Sequence, residues 1–203
     1  TTEIYTLSLH DALPILEIVI GIVGLILGLV IAVVPFLWKK YIARPEVTIE
    51  IIKNGGSSSP RGLSHKNKVN EEGYIDGNNA IRIFELTWNF KIRITNNSEL
   101  TAFYPELNFN PNGPKFSLID KLNKLQPIKS TETIELNVEY RKYEEKTGQE
   151  RTDVGREMPA EFTDLGLLLA YQNSHKTDFY TLYNFSDKKS VFLSKKPLEY
   201  KNN

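Results

Sequence analysis

Cysteine is absent from the 203 residues, and methionine and histidine are scarce, at one and three. The missing thiols exclude disulfide frameworks, thiolate nucleophiles and cysteine-rich zinc sites, and leave the compartment open, because cysteine-free domains stand on both sides of membranes. An excess of charge of either sign is also lacking: there are 25 basic and 25 acidic residues in all, and 22 of each beyond Arg44. That balance argues against nucleic acid as the main partner, since neutralising phosphates needs a basic excess on one face. Catalytic motifs are missing too. The GGSSS stretch at 55–59 has neither the Lys nor the strand-turn-helix setting of a phosphate loop or nucleophile elbow. His65 and His175 have no second histidine at ligand spacing, so neither a metal nor a cofactor is expected.

One long apolar run is present. Ile18 to Trp38, IVIGIVGLILGLVIAVVPFLW, is uncharged and is followed by Lys39 and Lys40. As a helix it is roughly 31 Å long, about the thickness of a bilayer's hydrocarbon core. A buried helix of a soluble protein is shorter in its apolar part and shows a polar face, which this run lacks. A cleavable signal peptide has basic residues before its apolar core and small residues after it; here Lys39, Lys40 and Arg44 lie downstream and Trp38 is large. The expectation is a transmembrane helix over 16–38 and a basic linker over 39–45, with Trp38, Lys39, Lys40, Tyr41 and Arg44 as membrane-interface anchors. Gly24, Gly28 and Ala32 recur every four residues and form a candidate packing stripe for a homodimer within the bilayer. The cations after the span place the following domain in the cytoplasm by the positive-inside rule.

The residues before the run, TTEIYTLSLHDALPI at 1–15, resemble the translation of a widely used sequencing-library adapter, residue for residue. The adapter's leftover T begins the next codon, and Leu16 is compatible with it. The resemblance implies that residues 1–15 are an artefact, that His10 and Asp11 are no catalytic pair, that Glu3 is no topology signal, and that the native N-terminus is missing. Basic residues lost there would bear on the orientation of the span.

Beyond the linker the pattern is that of strands. EVTIEIIK alternates Val47, Ile49 and Ile51 against Thr48, Glu50 and Ile52. FELTWNFKIRIT sends Leu86, Trp88, Phe90, Ile92 and Ile94 one way and Thr87, Asn89, Lys91, Arg93 and Thr95 the other, and TETIELNVEY alternates in the same manner from Ile134 to Tyr140. TAFYPELNFN resumes extended structure, Pro105 marking an edge or bulge. LGLLLAYQ and TDFYTLYNF, joined by NSHK, read as a hairpin. Residues 54–79, rich in Gly, Ser, Asn and charge, are expected to form a mobile loop. SLIDKLNKLQ is expected as a short helix capped by Ser117, and Arg141 to Glu161 as a charged loop or a splayed hairpin outside the core.

These elements predict a mainly β chain, with a single N-terminal transmembrane helix followed by an antiparallel immunoglobulin-like β-sandwich domain over 46–203. The Trp-bearing strand, the Asn-rich turn, the Pro127–Thr133 corner and the Tyr-rich last hairpin resemble immunoglobulin-like bacterial modules, which implies a fold and no activity. Tyr171, Phe179, Tyr180, Tyr183 and Phe185 are expected to fill the core more than to form an exposed row. Glu157, Glu161 and Asp164 near Met158 read as solvated surface more than as an acid and base. The expected function is non-enzymatic: a membrane-anchored module that binds a protein partner at the membrane face. An envelope-facing glycan- or protein-binding module and an anchored hydrolase are the alternatives.

Overall fold

The computed structural model describes residues 9–38, 43–77 and 79–200, with side chains described from residue 17 onward. Lys39, Lys40 and Tyr41, named above as interface anchors, lie outside the described residues, as does the first half of the adapter-like segment. The chain divides into two compact units, Thr1–Ala43 and Arg44–Asn203. The first holds one helix, α1 (Leu9–Leu37). Its stretch Glu17–Leu37 is long and apolar enough to cross a membrane by length and composition. Every described side chain on it is exposed.

The second unit is built of antiparallel strands: β1 (Val47–Leu63), β2 (Arg82–Asn96), β3 (Phe103–Phe109), β4 (Leu118–Ile119), β5 (Thr133–Lys146), β6 (Gly166–Gln172), β7 (Asp178–Asn184) and β8 (Lys189–Leu193). They form two four-stranded sheets, in the orders β1-β2-β5-β4 and β3-β6-β7-β8. The alternation in β2 sets the core. Leu86, Trp88, Phe90, Ile92 and Ile94 are at most 1% exposed, and they share one hydrophobic cluster with Ile49, Val138 and Tyr140 of the first sheet and Leu167, Leu169 and Tyr171 of the second. Phe162, on the short 3-10 turn Ala160–Asp164, sits among Phe90 at 4.7 Å and Tyr140, Phe116 and Phe185 at 5.3 to 5.7 Å, the last three edge-to-face, a geometry worth more than area burial alone. The five hairpin aromatics divide as expected: Tyr171, Phe179 and Tyr183 are buried, and Tyr180 and Phe185 half-buried.

Three expectations need correction. Residues 54–63, expected within a loop, continue β1 and pair with β2 from Gly55↔Asn89 to Leu63↔Arg82 after a register shift at Lys53. Backbone pairing with a neighbour whose inner face is apolar outweighs the weak strand preference of the Gly-Ser run. The helix expected from Ser117 does not form: the Ser117 hydroxyl donates to Glu139 O, and the Asp120 carboxylate accepts from Asn137 N and Nδ2, so both residues bind the edge of β5 instead of capping a helix. Arg141–Lys146 prolongs β5, and the following loop reaches the core. Val154 is 7% exposed, and its carbonyl lies so near Gly56 that a Cβ there would come within 3.2 Å of it and 2.7 Å of Thr87 O.

Tyr200 packs at the Gly166 end of the second sheet's outward face. Leu168 alternates away from the core yet is fully buried. The 3-10 turn Leu198–Tyr200 places the Tyr200 hydroxyl 2.7 Å from where a Cβ on Gly166 would stand, and burial pushes the Tyr200 phenol up to about 12. Tyr200→Ala is expected to lower unfolding stability by about 3 kcal/mol, as removing a buried aromatic ring does, whereas Leu198→Ala, at a residue 77% exposed, should stay within about 0.5 kcal/mol. Thermal melts of the two variants, compared with the parent chain, measure the difference.

Candidate functional site

β1 is an edge strand, and its outward backbone groups between Pro45 and Ile51 need partners that no neighbouring strand supplies. Side-chain hydroxyls from the second sheet supply them. The Tyr171 hydroxyl donates to Pro45 O at 2.8 Å and the Thr181 hydroxyl to Val47 O at 2.8 Å. Ser190 accepts from Ile49 N at 3.0 Å and donates to Ile49 O at 3.2 Å. Every second residue from Pro45 to Ile49 is met in this way, so the two sheets are joined along one side by a seam of hydroxyls. Arg44, expected as a membrane anchor, stands at the head of this seam, with its guanidinium over the Phe192 ring at 4.7 Å and the Phe179 ring at 6.0 Å.

The Ile49–Ser190 end of the seam lines a shallow groove of about 940 Å³ between β1 and β8, whose other walls include Ile51, Lys53, Met158, Phe185, Lys188 and Val191. Its far wall is pinned. Lys53 Nζ donates to Gly155 O and Glu157 O, each at 2.9 Å, and Trp88 Nε1 donates to Glu157 O at 3.0 Å. Asp153 Oδ1 accepts from Gly155 N and Arg156 N, folding the turn that precedes Met158. Met158 is 38% and Val191 47% exposed. Lys188 and Lys189 make no ion pair among the described residues.

Parts of the remaining surface are self-satisfied. The outer face of the first sheet is laced by ion pairs. Arg93 lies between Glu50 and Glu135, and Lys91 also meets Glu135; Glu85, 5% exposed, is held by Arg61 and Arg141. Opposite the seam, β3 is blunted by a bulge between Phe103 and Glu106, with Tyr104 at φ 51° followed by buried Pro105. A smaller hollow of about 340 Å³ there is lined by Leu107, Phe109, Ile119 and Leu122, and the Glu106–Lys124 ion pair spans it. A polar hollow of about 430 Å³ lies between Gly56–Ser58 and residues 148–155.

The carboxylates singled out near Met158 go separate ways. Glu157 Oε1 accepts from Asp153 N, Glu161 pairs with Lys142, and Asp164 is exposed. His65 and His175 are exposed, and no group of His, Asp and Glu able to hold a metal occurs among the described residues. Trp38, Gly24, Gly28 and Ala32 are exposed on the first unit, and open space surrounds both glycines. Ser190 and Thr181 were not anticipated, because a hydroxyl in a strand carries no sign of a partner more than a hundred residues away. Compared with known proteins, the chain matches no family model, no curated protein and no solved structure.

Thr181→Val keeps the shape of a fully buried side chain and leaves Val47 O without its donor; unfolding stability should drop by about 1–3 kcal/mol in denaturant titration, the cost of a buried unpaired polar group. A pH dependence follows as well. Lys124, Lys91, Arg141, Lys66 and Lys142 hydrogen-bond Glu106, Glu135, Glu139, Glu145 and Glu161, holding each carboxyl below the ordinary 4.5. A carboxyl lowered in the folded state stabilises above its unfolded value and loses that contribution as pH falls through its folded one. The melting temperature should therefore be flat above about pH 5.5 and fall progressively below pH 4.5.

Proposed function

We propose that this chain is a single-pass membrane protein that acts by binding: α1 anchors it in a lipid bilayer, and an immunoglobulin-like β-sandwich engages a protein partner at the membrane face. The observation that carries the anchor is the exposure of Glu17–Leu37. Fifteen of its side chains are Leu, Ile, Val or Phe; leaving them in water forgoes roughly 20–45 kcal/mol, at about 1.5–3 kcal/mol for each buried side chain. A bilayer removes that cost, and a helix satisfies its own backbone within the hydrocarbon. Residues 1–15 are left out of the reading, on their likeness to an adapter.

The sandwich reading is supported by strand order. β1-β2-β5-β4 and β3-β6-β7 follow the sequence order of the two sheets of constant-type immunoglobulin domains, with β8 added beside β7. Two hallmarks of antibody domains differ here: there is no cysteine pair, and the buried Trp88 sits on the second strand instead of the third. Partner binding is supported by the β1–β8 groove, which combines apolar side chains, pinned walls and unpaired lysines. The cytoplasmic side is favoured by Lys39, Lys40 and Arg44 after the span.

In membranes carrying the full chain, alkaline carbonate should leave the protein in the pellet, while deletion of 18–38 should release it. A reporter fused after Asn203 should be active only in the cytoplasm. Extraction of the full chain by carbonate would overturn the anchor, and reporter activity only outside would overturn the orientation.

A further inference from the structure

The groove between β1 and β8 has one acidic residue on its lining, Glu50, and three basic ones, Lys53, Lys188 and Lys189. Glu50 is already paired with Arg93, so the groove faces solvent as an apolar strip edged with positive charge. An occupant that fits is an extended segment with exposed apolar side chains and carboxylates beside them.

The chain carries such a segment. Between β1 and β2, VNEEGYID at 69–76 exposes Val69 at 60% and Tyr74 at 69%. Glu71 and Glu72 make no ion pair among the described residues. A turn shapes it: the Asn70 carboxamide oxygen accepts from Tyr74 N, Gly73 N donates to Asn70 O, and Gly73 takes φ 84°, a conformation glycine adopts at no steric cost. Two exposed apolar side chains and two unpaired carboxylates thus stand on one short loop. The loop cannot reach the groove of its own copy. From Lys53, on the groove, to Leu63, where β1 ends, the strand runs ten residues, or ~33 Å at ~3.3 Å each.

Resting on the partner-binding reading above, we propose that the partner is a second copy of this chain: the 69–76 loop of one copy docks in the β1–β8 groove of the next. Tyr74 and Val69 meet the strip around Val191 and Met158, and Glu71 and Glu72 face Lys188 and Lys189. The contact joins different surfaces on the two copies, so it propagates from copy to copy instead of closing as a symmetric dimer. Copies anchored in one membrane share an orientation and a plane, which favours a contact of this kind through effective concentration.

The absence of cysteine makes the test clean. Two tagged forms of the full chain, one with Tyr74→Cys and one with Val191→Cys, are co-expressed in membranes and treated with a short bis-maleimide. The expected product is a mixed dimer, at least tenfold more abundant than with Leu198→Cys in place of Val191→Cys. K188E/K189E in the Val191→Cys copy should reduce it at least fivefold, and E71K/E72K in the Tyr74→Cys copy should restore it. A crosslink no stronger than the Leu198→Cys control, or one indifferent to both charge reversals, overturns the homotypic contact. A chain that stays membrane-anchored and loses a different crosslinked protein on K188E/K189E overturns it too, while leaving partner binding at this groove intact. Melting temperatures of the four-charge variants, expected within a few degrees of the parent, separate loss of contact from loss of fold.

Discussion

The outward edge of β1 is where the second unit is held together. Its core is filled by the apolar faces of both sheets together, but two sheets with open edges would still leave backbone groups unpaired between them. Tyr171, Thr181 and Ser190 supply the missing partners from the opposite sheet. Each such bond contributes only about 0.5–1.5 kcal/mol net, yet leaving one unmade in the interior costs about 1–3 kcal/mol, so the seam acts chiefly by making any other arrangement unfavourable. It also fixes the register of β1 against β7 and β8. The groove inherits its position from that register, with Ser190 at its floor and Lys53 at its far end.

Parts of the remaining edges and faces are closed by different means. Charge pairing across β1, β2 and β5 keeps the first sheet's outer face wet and self-satisfied, while Tyr200 packs at the Gly166 end of the second sheet's outward face. β3 is protected by its bulge and Pro105, and β4 is only two residues long. The lysine-edged groove and the loop at 69–76 are two places where apolar side chains and unpaired charges meet solvent together.

Much of the fold can be read from the residues. Strict alternation in β2 and β5 sets which face is buried, since a strand has only two faces, and the short polar joint between β6 and β7 sets their pairing. What escapes such reading depends on tertiary partners. Ser117 and Asp120 have the chemistry of a helix cap, but the edge of β5 offers them better acceptors and donors. The Gly-Ser run at 55–59 is extended because β2 lies beside it, and Phe162 becomes central because the chain folds back over Trp88. The candidate site was the least legible part: a threonine in a strand and a lysine pair in a turn look the same whether or not an edge strand passes near them.

Amide hydrogen exchange along β1 tests the seam most directly. The outward-facing amide of Ile49 is expected to exchange as slowly as core amides of β2, and protection of edge-facing amides to drop by orders of magnitude between Ser57 and Leu63, where no hydroxyl meets them. Fast exchange at Ile49, or even protection along the whole edge, would contradict a hydroxyl seam.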